Sequence, residues 1–210
     1  MAVARALPFD PEAVPGFLDP EEGRVLYALA LEAARLGPCL EIGSYCGKSA
    51  IYLGTACASV RAVLYSIDHH SGSEEHQPGE LYHDATLVDP LSGRVNTFPY
   101  FQETLRQAGL EHTVVPVVAA SALAARAWST PLGMVFIDGG HSREAARVDY
   151  EGWSPHIVPG GFLAVHDVFL DPGEGGQAPR EIFERGVDSG EFECLGVHRT
   201  LGVLRRRPLA

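Results

Sequence analysis

Five short apolar runs, separated from one another by helical patterns, constrain this 210-residue chain more than any other feature. They span 39–42, 62–67, 113–118, 134–137 and 161–165, which suits strands better than helices, with glycine or polar residues beside them. Between them, 49–58, 97–108, 123–128 and 142–153 read as helices. A strand, a helix and a further strand pack back on one another with a right-handed crossover. The alternation therefore predicts a parallel sheet covered on both faces. Ligands in such sheets sit outside the carboxyl ends of the strands, where strand order reverses. Acidic residues stand at four of those ends, Glu41, Asp68, Asp138 and Asp167, and they are the first side chains to examine for chemistry.

The two ends of the chain fit the same frame. Asp19-Pro20-Glu21-Glu22 reads as a helix start, with Asp19 as cap, Pro20 in the first turn and Glu22 closing a capping box. Val25, Leu29, Ala33 and Leu36 follow at helical spacing until Gly37-Pro38, so 1–37 is an N-terminal helical segment. A Gly- and Pro-rich loop over 171–179 leads to a helix over 180–187. Two last runs, 192–197 and 200–204, suit an antiparallel hairpin. The expected fold is a single α/β domain over 1–210. Its sheet is doubly wound, mostly parallel and seven-stranded, ending in a C-terminal antiparallel hairpin.

Charge narrows the partners. A formal net charge of −11 repels polyanions, so nucleic acid is not an expected partner. Arg205-Arg206-Arg207 reads as a solvated tail. No run approaches the roughly 20 apolar residues of a membrane span, and residues 1–10 lack a charged-then-apolar leader pattern. Cys39, Cys46, Cys57 and Cys194 are scattered, with no C-x-x-C pair, which suits reduced thiols and a cytoplasmic setting. The oligomeric state is open, with a homodimer among the options.

Several ligand classes compete for the turn Leu40-Glu41-Ile42-Gly43-Ser44-Tyr45-Cys46-Gly47-Lys48-Ser49, whose glycines let the backbone bend and approach a ligand closely. Nucleotide phosphate is one, because Gly47-Lys48-Ser49 resembles the end of a phosphate loop. That loop needs four residues between its first glycine and the Gly-Lys pair. Gly43 and Gly47 bracket only three, which argues against an NTPase. A dinucleotide enzyme is weakened by the missing G-x-G-x-x-G, and by a spacing from Glu41 to Asp68 longer than the usual ~20 residues. S-adenosylmethionine is the other. It carries a sulfonium and an ammonium that acidic groups stabilise, and a ribose diol that can donate to a carboxylate. Glu41 and Asp68 meet those needs.

Glu41 to Ser49 resembles the first motif of catechol O-methyltransferase and its relatives. Phe136-Ile-Asp-Gly-Gly-His141, Asp149-Tyr-Glu-Gly-Trp153 and Pro159-Gly-Gly-Phe-Leu-Ala-Val-His-Asp167 resemble, in order, later motifs of small-molecule class I methyltransferases, including those acting on sugars and natural-product scaffolds. The likeness spans 38–168. It implies a Rossmann-like S-adenosylmethionine-dependent methyltransferase, acting by O-methylation of a small hydroxylated acceptor. It implies that Gly43, Tyr45 and Ser49 contact the methionine part of the cofactor, with Glu41, Ser44 and Gly47 of the same turn beside them. Asp68 matches the ribose ligand, with His69 and Ser121 near the adenine. Asp138 matches a cofactor contact and, together with Asp167, the carboxylates that hold magnesium in metal-dependent members. His141 falls where the catechol enzymes carry their general-base lysine. A histidine of ordinary pKa near 6.5 can take a hydroxyl proton near neutral pH, and a divalent cation would lower that hydroxyl's pKa.

The pattern also departs from the family. An asparagine follows the second metal carboxylate in the catechol enzymes, whereas Val168 stands here and cannot ligate. Either His166, a water or the substrate completes the set, or no metal binds. A protein that binds adenosylmethionine or adenosylhomocysteine as a sensor, without catalysis, is a second class. The segment 69–95 holds His69, His70, His76 and His83 with Glu74, Glu75 and Glu80. Without tight ligand spacing or cysteine it reads as a substrate lid rather than a zinc site, since loops this long are usually functional. The 171–179 loop would form the opposite wall. Tyr150 and Trp153, at helical spacing, read as core.

Overall fold

In the computed structural model, which describes residues 6–77, 79, 80 and 82–208, all the apolar runs fall in one sheet. Positions 1–5 of the leader reading, and positions 78 and 81 of the lid, lie outside the described residues. The strands are β1 (Cys39–Ile42), β2 (Leu64–Asp68), β3 (Val114–Val118), β4 (Leu132–Ile137), β5 (Ile157–Val165), β6 (Phe192–His198) and β7 (Leu201–Arg206). Their order is β3-β2-β1-β4-β5-β7-β6. The first five run parallel, β7 pairs antiparallel with β5, and β6 antiparallel with β7. This is the expected Rossmann-like, mostly parallel seven-stranded architecture.

Helices α1 (Pro20–Ala33), α2 (Lys48–Ser59) and α3 (Phe98–Ala108) cover one face, and α4 (Ser121–Ala125), α5 (Arg143–Trp153) and α6 (Ala178–Asp188) the other. Strand alternation feeds both layers. Along β4, Met134 and Phe136 join the core under α1–α3, whereas Val135 and Ile137 join the core under α5 and α6. All six β4 residues are buried, as a doubly covered parallel strand requires. Tyr150 and Trp153 are core side chains, as their spacing predicts. The α1 start is the anticipated capping box, with Asp19 accepting from the Glu21 amide at 2.7 Å and Glu22 reaching back to the Asp19 amide.

Some boundaries shift. β5 begins at Ile157, because Gly160 (φ +80°) carries the backbone through a kink that local sequence reads as a break. Arg205 and Arg206 are not a solvated tail: they belong to β7 and lie over Phe162 and Phe192, 5.3 and 5.0 Å from the ring centroids. Arg205 also bonds Glu32 at 2.6 Å. Cation–ring contact and hydrogen bonding let β7, paired on both sides by β5 and β6, carry these charges without burying them bare. Among the described residues no helix is long and apolar enough to cross a membrane.

Strand order reverses between β1 and β4. At that point the strand ends are level: the Gly43 amide bonds Ile67 O, the Asp138 amide bonds Ile42 O, and the His166 amide bonds Ile137 O. The loops leaving four strands therefore open onto one crevice.

Candidate active site

The crevice is a cavity of about 630 Å³. Its floor is the strand ends, one wall is the β1–α2 turn, and the inserted segment 69–95 contributes His69, Glu74, Glu75, His76 and Tyr82 to its rim. The loop between β5 and α6 supplies Phe169 and Glu174 opposite. Of the residues expected at a ligand, Gly43, Ser44, Tyr45, Ser49, Asp68, His69, Ser121, Asp138, His141 and Asp167 all line this one hollow. Two of the turn residues do not.

Glu41 is the first of these. β1 continues to Ile42, so Glu41 is one residue short of the strand end and points into the layer instead. It is fully buried, and its carboxyl accepts from the Ser49 hydroxyl at 2.7 Å and the Ser66 hydroxyl at 2.5 Å. Burial pushes it up to about 7, with Asp138 and Asp68 adding to the rise against the two serines. Gly47 is the second: it caps α2 and packs toward Thr104 and Phe101 of α3. Gly43 is where the close approach occurs. At φ +86°, a Cβ there would lie 2.0 Å from the Asp138 carbonyl oxygen, so only glycine lets β1 turn against the end of β4.

Asp68 shapes the turn while facing the cavity. Its oxygens accept from the Tyr45 amide at 2.8 Å and the His70 amide at 2.7 Å, which leaves each oxygen one lone pair for a ligand. Ser121 accepts from Trp153 Nε1 at 2.7 Å. The Ser44 hydroxyl is buried and unpartnered among the described residues, an arrangement that costs free energy unless something bonds it. Asp149, pushed up to about 6 by burial against the opposing Ser121 hydrogen bond, completes this side.

A row of alternating carboxylates and imidazoles crosses the floor. His141 lies between Glu75, 3.0 Å from Nδ1, and Asp167, 3.1 Å from Nε2. His166, almost fully buried, lies between Glu22, 3.0 Å from Nε2, and Asp138, 3.0 Å from Nδ1, with Asp167 at 3.5 Å. The Asp167 partner, helped by Glu75 against burial, raises His141 to about 9. Burial opposes charge on His166, yet Asp138, Asp167 and Glu22 hold it well above its usual range. Asp167 is likewise pulled down by the two histidines against its burial, and its backbone adopts φ +58°, a conformation side chains other than glycine rarely take. Asp138, His141 and Asp167 each offer one ligand atom, and these lie within 4.8 Å of one another. Val168 is turned away, buried beside Gly202.

Sequence reasoning missed Glu75 and Glu22 as partners of these histidines, and Phe17 and Tyr82, whose rings meet at 4.9 Å over the rim. Only the acidic and aromatic content of the segments could have flagged them. The zinc reading of 69–95 is not supported: Nδ1 of His70, His76 and His83 meets Thr97, Ser73 and the His76 carbonyl, and among the described residues the group that could hold an ion is Asp138, His141 and Asp167, outside the segment.

A family model described as a methyltransferase domain matches residues 40–168, more than half the chain. The chain belongs to that methyltransferase family. Solved structures of similar fold include a cofactor-bound protein, Rv0187 from MTB, at 18% identity and TM-score 0.67, covering 95% of this chain and 87% of the other. An O-methyltransferase from Bacillus cereus in complex with SAH is 16% identical with TM-score 0.63, covering 94% and 86%. TomG, an O-methyltransferase from Streptomyces achromogenes involved in tomaymycin synthesis and bound to SAM, is 19% identical with TM-score 0.63, covering 91% and 82%. The class implied by the motifs, the class I adenosylmethionine-dependent methyltransferases, is thereby borne out.

In this methyltransferase the cavity wall suits a cation. Asp68, Asp138, Asp149, Asp167, Glu74 and Glu75 line it; Lys48 lines it too, but its Nζ is held by Glu12 at 3.1 Å and by the Gly16 carbonyl. A phosphate loop needs its lysine on the ligand, so the nucleotide reading loses its key contact.

Proposed function

We propose that this methyltransferase moves the methyl group of S-adenosylmethionine to a hydroxyl oxygen of a small acceptor, over one methyltransferase unit spanning 1–210. The observation that carries the reading is one acidic hollow joining the glycine turn to the carboxylate–imidazole row. The donor supplies an electrophilic methyl on sulfur: the C–S bond breaks as the C–O bond forms, a neutral thioether leaves, and the acceptor's proton must be taken up. Gly43 lets the turn pack on the end of β4 while lining the hollow, and Ser44 offers an unspent hydroxyl to the polar end of a ligand. The free lone pairs of Asp68 suit a ribose diol, with His69 and Ser121 farther along the wall. Those acidic groups match a sulfonium better than any anion.

His141 is the proton acceptor in this reading, on a condition that the geometry sets. Held by two carboxylates, the ring is an imidazolium and can only donate. To act as base the ring must first give up its Nδ1 proton, to Glu75 or to water, as the acceptor hydroxyl takes the place of Glu75; Nδ1 then takes the hydroxyl proton while Asp167 orients Nε2–H. Asp138 and Asp167, whose ligand atoms lie within 4.8 Å of each other, would hold a hard divalent cation; Val168 would add no donor, and His141 is engaged in proton transfer. Such a cation would lower the pKa of the acceptor hydroxyl. The segment 69–95 acts as the lid, since it carries Glu75. Four free cysteines, three of them buried, fit a reducing cytoplasm.

Calorimetry tests the donor. Adenosylmethionine should bind with micromolar Kd, and silence at millimolar ligand defeats the proposal. His141→Ala should lower turnover by at least 10²-fold while cofactor affinity stays within a few-fold. Equal losses in both would remove its role as base. Binding without transfer to any phenol, sugar or amine would favour the sensor.

A further inference from the structure

Glu22 is a buried acid that the reaction leaves unused. It stands in the first turn of α1, outside the region matched by the family model, and its side chain is almost wholly shielded from water. A carboxylate so placed is costly unless every oxygen is matched. Both are. Oε1 accepts from the Thr200 amide and the Thr200 hydroxyl, each at 2.8 Å, from the turn between β6 and β7. Oε2 faces His166 Nε2 at 3.0 Å. Burial raises its pKa, but His166 and the Thr200 amide outweigh that and hold it at about 2.

The destination of this pair distinguishes it from a structural ion pair. The imidazole spans from Glu22 to the cavity floor, where Nδ1 meets Asp138 Oδ1 at 3.0 Å, and Asp138 lines the hollow. With Nε2 fixed on Glu22, the ring has a single orientation, and Nδ1 in turn fixes the rotamer of Asp138. We propose that Glu22 is a positioning residue of the methyl-transfer site, holding His166 so that His166 holds Asp138. The inference rests on the reading of Asp138 as a ligand-facing carboxylate. Partners that orient a ligating group commonly change metal affinity or activity 10–100-fold when removed.

The test compares wild type, Glu22→Gln and Glu22→Asp. Glutamine keeps the size of Glu22 but not its charge, and aspartate keeps the charge on a shorter arm. Adenosylmethionine binding is read by calorimetry, and Mn²⁺ binding by loss of the free-ion electron paramagnetic resonance signal. The Glu22→Gln variant should hold adenosylmethionine within about threefold of wild type while weakening Mn²⁺ about 10- to 100-fold, with Glu22→Asp recovering part of the loss. Equal loss for both ligands, or none for Mn²⁺, overturns the proposal. If wild type takes up no Mn²⁺, the metal part of the functional reading fails, and the relay is decided by ¹⁵N spectra of histidine-labelled protein. Asp138→Asn identifies the His166 nitrogen that faces the cavity, and Glu22→Gln must move that same resonance. A resonance left in place sinks the relay. If Glu22→Gln does not fold, Thr200→Val, which removes one donor to Glu22, is read by the same spectrum with the same two outcomes.

Discussion

Replacing Glu41 by glutamine should stabilise the protein at pH 8 and leave it nearly unchanged at pH 5. The carboxyl has no solvent access, and burial, with Asp138 and Asp68 nearby, raises it from 4.5 to about 7. At 1.36 kcal/mol for each unit of pKa, the ionised form costs the fold about 3 kcal/mol. The sign follows from linkage. Because the folded pKa is the higher one, the stability contributed by protonated Glu41 is fully present below 4.5 and is lost as pH rises through 7. Glutamine can keep both serine contacts and does not ionise. Urea unfolding of wild type and Glu41→Gln at pH 5, 6, 7 and 8 isolates the residue, because other titrating groups cancel in the difference. That difference should grow by about 2–3 kcal/mol across the window in favour of the variant. A constant difference, or a variant weaker at pH 8, would refute the reasoning. A cationic ligand near Asp68 and Asp138 acts in the opposite direction. Adenosylmethionine binding near pH 7 should then expel part of a proton, visible as heats that differ between buffers of unlike ionisation enthalpy.

Gly43→Ala forces a Cβ into the Asp138 carbonyl at a positive φ, so it should cost more than about 3 kcal/mol and abolish adenosylmethionine binding; a variant that melts and binds like wild type would contradict the close packing of β1 on β4. Ser44→Ala removes a buried hydroxyl with no partner, so urea midpoints should hold or rise while adenosylmethionine affinity falls about tenfold, the worth of one hydrogen bond to a charged group. Unchanged calorimetric affinity would take Ser44 out of the binding wall. Trp153→Phe deletes the donor to Ser121 and should lower unfolding free energy by about 1–3 kcal/mol, with little change at the carboxylate row; loss of turnover as large as that of His141→Ala would show the two regions to be coupled.

Much of the fold was legible because its signals are local. Runs of four to nine residues alternate with helical patterns, and β-α-β units admit one handedness, so a parallel sheet followed. That Gly43, Asp68, Asp138 and His141 line one hollow was readable from motif spacing, since each lies at a strand end or in the loop that leaves it. Glu41 was misread by one residue. Side chains alternate faces along a strand, and β1 ends at Ile42 as the run 39–42 predicts, so Glu41, one residue before that end, faces the core instead of the cavity.

What the linear chain decided for itself was the alternation of elements and the residues at each strand end, because hydrophobic period and turn chemistry act over a few neighbours. Tertiary structure alone decided which distant groups meet. Glu22 lies 144 positions from His166, and Glu75 lies 66 from His141. Those pairings exist because strand order β3-β2-β1-β4-β5-β7-β6 brings α1, the inserted segment and the ends of β4 and β5 to one rim. The protonation of the two histidines is a property of that assembly: it depends on carboxylates delivered through space and on the water they exclude.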